Sequence, residues 1–539
     1  MKRFVSRQTA AAALILSAAF GLPALASAQT LIATADGNVQ GQVTDGAREF
    51  LGIPYAAPPV GPLRFKPPQD PTPWVVTLDA TAYPPACSQL PTLTNNNTRI
   101  ENEDCLYLNV WTPNPAPTTP LPVMFWIHGG SNTSGSTGDP VPFPGHTGQF
   151  YDGHRMARDN NVIVVSVNYR LNVFGFFGLT EIAAEDPGYP YAGNQGLLDQ
   201  RKGMQWVHDN IAAFGGDPAN VTIYGESAGS FDVCAHVVSA GSQPLFQKAI
   251  SESGGCTVGV NTNQESIDQA DVIADAVGCG DAEDRLACLR GVSTGDLLDA
   301  GPLVALVGEG TNLAISVDGG FLTDLPINLF DDAVEDTTLI PRKPYILGSN
   351  TDEGTLFFVN SPELTPEEYT AELISRFDTD AAAVEAMYPA SNYDSPRDAL
   401  IHVFGDAALV CSTYDTAKRY SRIKANKART FVYNFDRKPP LGLIDSLNLG
   451  VFHGIEIGFV FNSIDDFGAT DKILSASVQQ YWSSLATTGK PKNAGRFKWP
   501  KFKEKSWKML RLDAPLAQLS EYKKAECEFW SSRYEAGTL

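Results

Sequence analysis

The stretch Val221-Thr222-Ile223-Tyr224-Gly225-Glu226-Ser227-Ala228-Gly229 constrains the fold more than any other part of the chain. A β-favouring apolar run leads into a serine with glycines two before and two after it, and a small residue then opens a helical segment. This order requires a sharp strand-to-helix turn with Ser227 at its tip in a strained backbone conformation. Glycine at 225 and 229 lets strand and helix pass without Cβ clashes. The hydroxyl stands clear of the turn, and the Ala228 amide points at the same spot. The spacing recurs at Gly291-Val292-Ser293-Thr294-Gly295. There the preceding segment 286–290 reads as the end of a helix, so context selects Ser227.

The rest of the chain supplies a sheet for such a turn. Leu121-Pro122-Val123-Met124-Phe125-Trp126-Ile127 and Val162-Ile163-Val164-Val165-Ser166-Val167 read as strands, as do Val221 to Tyr224, Tyr345 to Gly348 and Phe431 to Phe435. Continuous apolar runs without alternation indicate strands covered on both faces, hence a mostly parallel sheet between helices. Leu197, Leu198, Trp206, Val207 and Ile211 recur near helical spacing between the second and third strands, which makes a βαβ unit. Segments 262–330 and 365–420 read as helical caps over the sheet. With no long linker and no repeat, residues 29–539 are expected to form a single α/β domain.

The first 28 residues read as an export signal, with Lys2, Arg3 and Arg7, an apolar stretch over 9–22 and a small-x-small site at Ala26-Ser27-Ala28. The expected location is secreted or periplasmic. The chain carries a net charge of −21, and losing the leader makes it more acidic still. No basic patch interleaved with aromatics is read along it. Nucleic acid and anionic membrane surfaces are therefore not expected as partners. Eight cysteines in an exported chain imply disulfides, although spacing cannot choose among their pairings. Closing the loop between Cys279 and Cys288, or that between Cys87 and Cys105, is worth about 3 kcal/mol in the chain-entropy picture. No C-x-x-C spacing suggests zinc, and no metal or cofactor is expected.

A serine hydroxyl needs a base to become a nucleophile, and the base needs an orienting carboxylate. On a strand–turn–helix serine the acid and then the histidine follow in the chain. Of the seven histidines three come after Ser227. His236 lies about 13 Å along the same helix and cannot reach back. His402 sits in an amphipathic helical pattern. His453, in Gly450-Val451-Phe452-His453-Gly454, has a loop context and is the chosen base. Between them Asp352-Glu353-Gly354 follows the strand ending near Gly348, where α/β sheets place chemistry. Glu353 is the chosen acid; Asp352 is second, with helix capping as its ordinary role. Gly129-Gly130-Ser131, after the strand ending at Ile127, is placed to supply amides for an oxyanion, each worth about 3 kcal/mol.

Further segments sharpen this reading: Phe50-Leu51-Gly52-Ile53-Pro54-Tyr55-Ala56, Glu103-Asp104-Cys105-Leu106-Tyr107-Leu108-Asn109-Val110, Asn168-Tyr169-Arg170, Gly193-Asn194-Gln195-Gly196-Leu197-Leu198-Asp199-Gln200 and Phe214-Gly215-Gly216-Asp217-Pro218. In order, with Gly225-Glu226-Ser227-Ala228-Gly229, they resemble the type-B carboxylesterases, the α/β-hydrolase family that includes cholinesterases and bile-salt-type lipases. The resemblance implies a serine esterase acting on small-molecule esters. It implies Ser227, Glu353 and His453 as the triad, and the amides of Gly130, Ser131 and Ala228 as the oxyanion hole. Gly129, Glu226 and Ser253 match positions that support these groups. It implies disulfides Cys87–Cys105, Cys279–Cys288 and Cys411–Cys527, leaving Cys234 and Cys256 free or paired with each other.

Two departures stand out. Ser131 and Asn132 replace the family's third glycine and following aromatic, which makes the pocket wall at Asn132 more polar and favours polar or short-to-medium acyl esters. The loop between Cys87 and Cys105 lacks a tryptophan, where a cholinesterase stacks choline, so a choline ester is not expected. Segment 139–151 is longer than is typical of the family and is expected to shape the pocket rim. The alternatives are a secreted lipase, with 88–104 as its lid, and a non-catalytic adhesion relative. The polar composition of that lid and the retention of all three triad positions weigh against them.

Overall fold

The computed structural model describes residues 30–537 except 93, 94, 96, 144, 145, 302–312, 425–428, 441, 443–446 and 494–496. The proposed leader lies outside the described residues. Fourteen strands are numbered in chain order: β1 Leu31–Ala33, β2 Asn38–Gln40, β3 Gln42–Thr44, β4 Ala47–Pro54, β5 Leu78–Asp79, β6 Tyr107–Pro113, β7 Leu121–Ile127, β8 Ile163–Val167, β9 Gly216–Glu226, β10 Lys248–Glu252, β11 Tyr345–Asn350, β12 Thr430–Phe435, β13 Lys508–Leu512 and β14 Ala517–Ser520. Eleven of them form one sheet in the order β14-β13-β12-β11-β10-β9-β7-β8-β6-β4-β3. Pairing is parallel from β8 through β13 and antiparallel at both margins.

The apolar runs behave as their lack of alternation requires. In β7, Val123, Phe125 and Ile127 enter one core layer, while Met124 and Trp126 enter the layer on the opposite face. Each side chain of this size buried so stabilises the fold by about 1.5–3 kcal/mol. Helix Gln195–Asn210 joins β8 to β9, and helix Ala228–Val238 leaves β9. Segment 262–330 contains helices Asn263–Ala276, Arg285–Gly291, Thr294–Ala300 and the start of Pro326–Glu335; 365–420 contains Pro366–Phe377, Ala381–Met387, Pro396–Phe404 and most of Cys411–Arg422.

Four disulfides are closed: Cys87–Cys105, Cys279–Cys288, Cys411–Cys527 and Cys234–Cys256. The last joins helix Ala228–Val238 to the loop after β10, and Cys411–Cys527 pins the C-terminal helix Lys524–Ala536. Among the described residues no helix is long and apolar enough to cross a membrane.

The surface corrects one expectation. A basic patch is present: Lys490, Lys492, Lys498, Lys501, Lys503 and Lys508 line one cleft together with Phe431, Phe497 and Trp499. The net charge of the whole chain hides a local run of opposite sign.

Candidate active site

The parallel strands bring the chemistry-bearing residues to one edge of the sheet. Glu226 pairs in register with Glu252, Glu252 with Gly348, and Asn350 with Phe435, so β9 to β12 end side by side. Ser227 follows β9 with φ 56° and ψ −127°, a conformation that costs a non-glycine residue about 1–3 kcal/mol. Its amide donates to Glu252 O at 2.9 Å, which ties the turn to the neighbouring strand. A Cβ on Gly229 would lie 2.2 Å from Ile127 O, and one on Gly225 would lie 2.5 Å from Gly229 O. Both positions therefore require glycine.

The turn after β7 runs against this serine. A Cβ on Gly129 would come within 2.9 Å of Ser227 Cβ. Gly130, Ser131 and Asn132 all have positive φ, at 102°, 56° and 56°, so two non-glycine residues carry strain here. The conformation is fixed by Thr133 and Ser134, whose amides both donate to Gly130 O at 3.0 Å. The amides of Gly130, Ser131 and Ala228 donate to no acceptor among the described residues. Ser131, Asn132, Ser227 and Ala228 share one cavity of about 620 Å³, a figure that includes space open to solvent.

Asn132 does not turn its polar atoms to this cavity. Its Nδ2 donates to Asp232 Oδ1 at 3.0 Å, and its Oδ1 accepts from the Tyr169 hydroxyl at 3.0 Å. Asp232 Oδ2 accepts from Gln200, which in turn meets His236 Nε2. His236 is thus fully engaged in a buried network behind the turn. Burial raises the Asp232 carboxyl to about 7. The remaining cavity walls are mostly apolar: Phe231, Leu313, Ile315, Phe357 and Leu409. The last four come from the helical caps and from the segment after β11. The described residues of segment 139–151 contribute no wall. Phe143 instead packs edge-on against Phe452, the residue before His453.

His453 is held from both sides. Its Nδ1 meets Glu353 Oε2 at 2.6 Å, and Glu353 Oε1 accepts from the Asn350 amide at 2.7 Å. Nε2 makes no hydrogen bond and lies 3.2 Å from Glu226 Oε1. The ring packs on Phe357, with centroids 5.1 Å apart, and Phe357 lines the Ser227 cavity. Asp352 does not cap a helix. Its Oδ2 accepts from the Val451 amide at 2.7 Å, and its own amide donates to Val451 O at 3.1 Å. Gly450, at φ 67°, would drive a Cβ to 2.1 Å from Asp352 Oδ2. Asp352 is the latch of the loop that carries the histidine.

Four buried glutamates cluster here: Glu226, Glu353 and Glu456 act on the ring, and Glu252 faces Glu226 and Glu456. Ser253, itself at φ 58°, donates its hydroxyl to Glu456 Oε1 at 3.2 Å, and Asn350 Nδ2 donates to the other oxygen. Trp482 Nε1 donates to Glu252 Oε1 at 2.8 Å. Burial raises Glu226 to about 8 and Glu456 to about 7, and lifts Glu252 well above the carboxylate range. Burial alone would lower His453, but the Glu226 carboxylate and then Glu353 outweigh it and raise the imidazole to about 9. Sequence reasoning misses Glu456, Asn350 and the latching of Asp352. The available signal is an acid in the otherwise apolar run 455–461.

The other candidates have ordinary roles. Ser293 caps helix Thr294–Ala300, accepting from the Asp296 amide. His402 lies in helix Pro396–Phe404 against Tyr393.

The sheet, its strand order and the serine turn define an α/β-hydrolase fold. Residues 28–530 match the carboxylesterase family. An acetylcholinesterase from Bungarus fasciatus is 33% identical over 546 residues, covering 93% of this chain and 86% of its own. The chain belongs to the carboxylesterase family and is a carboxylic ester hydrolase.

Proposed function

We propose that the protein is an exported serine carboxylesterase, that residues 29–539 work as one unit, and that Ser227, His453 and Glu353 are its triad. Ser227 Oγ attacks the ester carbonyl while its proton passes to His453 Nε2. Glu353 fixes the tautomer through Nδ1 and stabilises the imidazolium. The tetrahedral oxyanion is met by the amides of Gly130, Ser131 and Ala228. The proton on Nε2 then goes to the leaving alcohol, and water repeats the sequence on the acyl-enzyme.

One observation carries this reading. An imidazole bound to a buried carboxylate through Nδ1, its Nε2 free of hydrogen bonds beside Glu226, packs on Phe357, which lines the cavity of a serine whose strained turn lies beside unused amides. No step needs a metal. The apolar walls, and the inward turn of the Asn132 amide, favour short-to-medium acyl groups over polar ones. The test is Ser227→Ala against p-nitrophenyl esters of rising acyl length. The expected loss in kcat is on the order of 10⁶-fold with an unchanged melting transition, and wild type is expected to prefer short or medium chains. Retained turnover in Ser227→Ala would end the assignment.

A further inference from the structure

The lysine cleft lies far from the serine. Phe431 is the second residue of β12 and Lys508 the first of β13, so the cleft opens at the amino ends of these parallel strands, whereas Ser227 and Glu353 follow the carboxyl ends of β9 and β11 in the same parallel set. A strand of this length separates the two edges by about 20 Å. Lys490, Lys492, Lys498, Lys501, Lys503 and Lys508 are all exposed, and none of their ammonium groups is paired with a carboxylate among the described residues. Six unpaired cations beside one another repel, and they do so on a chain with a net charge of −21. No internal ion pair among the described residues accounts for the cluster.

The cleft continues. Lys492 and Asn493 also line a second groove, whose walls are mostly hydroxyls and amides, among them Asn160, Ser483, Ser484, Thr487 and Thr488, with one carboxylate, Asp159, that is paired with Arg158. Asn493 stands at the junction with both polar atoms of its amide buried and without a hydrogen-bond partner. A cationic trough thus runs into a mostly uncharged, hydrogen-bonding one whose single carboxylate is held by Arg158.

We propose that this continuous groove binds a linear acidic polysaccharide, its carboxylate or sulfate groups meeting the lysines and its hydroxyls meeting the amide and hydroxyl walls. Two other polyanions fit less well. Single-stranded nucleic acid is held by bases stacked on exposed aromatic faces. Here Trp499 and Phe431 are buried, the Trp499 indole donates to Val432 O at 3.0 Å, and of the three cleft aromatics only Phe497 is partly exposed. A flat anionic membrane would face more of a chain whose net charge is −21, whereas a thin chain within the groove is met mainly by the lysines. Bound there, the polymer leaves the Ser227 cavity open, so the enzyme would be tethered to an acidic matrix while still turning over ester.

The test compares wild type, the charge-reversed Lys490→Glu/Lys492→Glu/Lys498→Glu/Lys501→Glu variant and Asn493→Ala. Each is titrated at rising NaCl with polygalacturonate, dextran sulfate, neutral dextran, phosphatidylglycerol vesicles and a short DNA duplex. Wild type is expected to bind one or both charged polysaccharides, with log affinity falling linearly in log salt. Charge reversal should weaken this by about tenfold or more and flatten the slope by about 0.7 for each lysine in contact. Asn493→Ala should weaken it a few-fold with the slope unchanged. Hydrolysis of p-nitrophenyl butyrate should match wild type in every variant, which also shows that each is folded. The proposal is overturned by absent polysaccharide binding, by binding that charge reversal leaves intact, by equal binding of neutral dextran, or by tighter binding of DNA or vesicles at the same salt.

Discussion

Around Ser227 the geometry is made by backbone, and around His453 it is made by charge. On the serine side, four positive-φ residues and three close-approach glycines set the positions, and the amides of the two turns are left without acceptors among the described residues. On the histidine side, a loop is latched by Asp352, and its ring sits among three buried glutamates from β9, the turn after β11 and the loop after β12, with Glu252 of β10 facing two of them. Backbone geometry responds to substitution in an all-or-none way, because a Cβ either fits or does not. Carboxylates respond in graded fashion, because each contributes a share of the field at one ring. Substitutions on the two sides should therefore differ in kind.

The largest graded effect is expected at Glu353→Gln. The amide keeps the shape but removes the charge that stabilises the imidazolium, and it can favour the wrong tautomer. A fall in kcat on the order of 10³–10⁴-fold is expected, with the melting temperature little changed; burst kinetics on a p-nitrophenyl ester would show whether acylation is the slowed step. Gly229→Ala tests the other side. Its Cβ would lie 2.2 Å from Ile127 O, so the elbow must shift. Stability should drop by about 1–3 kcal/mol, with about a 10²-fold loss of kcat from the displaced hydroxyl. If this variant keeps full activity, the contrast between the two sides fails. Asp352→Ala removes one hydrogen bond to the histidine loop at Val451. A cost of about 1–2 kcal/mol in denaturant unfolding is expected, with KM nearly unchanged and a smaller loss of kcat than in Glu353→Gln.

The same contrast explains which parts of the molecule are legible in the amino-acid sequence. The serine side is local: strand, Gly225, Ser227, Gly229 and helix lie within one short window, and the glycine pair at 129–130 directly follows a strand. Glu353 is legible because it follows the end of a strand, and His453 because few histidines compete with it. The carboxylate cage is not legible, because Glu226, Glu252 and Glu456 meet only through the parallel register of β9, β10 and β11 and the return of a distant loop. An aspartate before a helical segment is most often a cap, whereas tertiary contact turns Asp352 toward Val451. The five core strands stand out as apolar runs, while β10 and the marginal strands β3, β13 and β14 carry too many polar residues to do so. The lysines of the cleft are crowded into 490–508, but net charge summed over the whole chain conceals them.

The smallest expected effect at neutral pH, and the sharpest test of the electrostatic side, is Glu226→Gln. The Glu226 carboxylate is the largest influence raising His453, which reaches about 9, and Glu226 is itself raised to about 8 by burial. Two groups this close titrate as a pair, so their proton losses belong to the pair. For a general base only the neutral imidazole is productive, so kcat/KM should climb with pH along an acid limb lying above the ordinary histidine value of about 6.5. Replacing the carboxylate by an amide removes the main force holding the proton on His453, and the limb should move down by about one pH unit or more. Activity at acidic pH would then exceed that of wild type, although the variant has lost a charge next to the reacting groups. The stability arm has a definite sign as well. Glu226 binds its proton more tightly folded than unfolded, so from about pH 4 up to its folded value of about 8 the native state holds the extra proton and stability falls as pH rises. The variant should lose part of that decline, visible as a flatter plot of melting temperature against pH. An unmoved acid limb together with an unchanged slope would mean that His453 is governed by Glu353 alone, and the charge-built description of this side would have to be withdrawn.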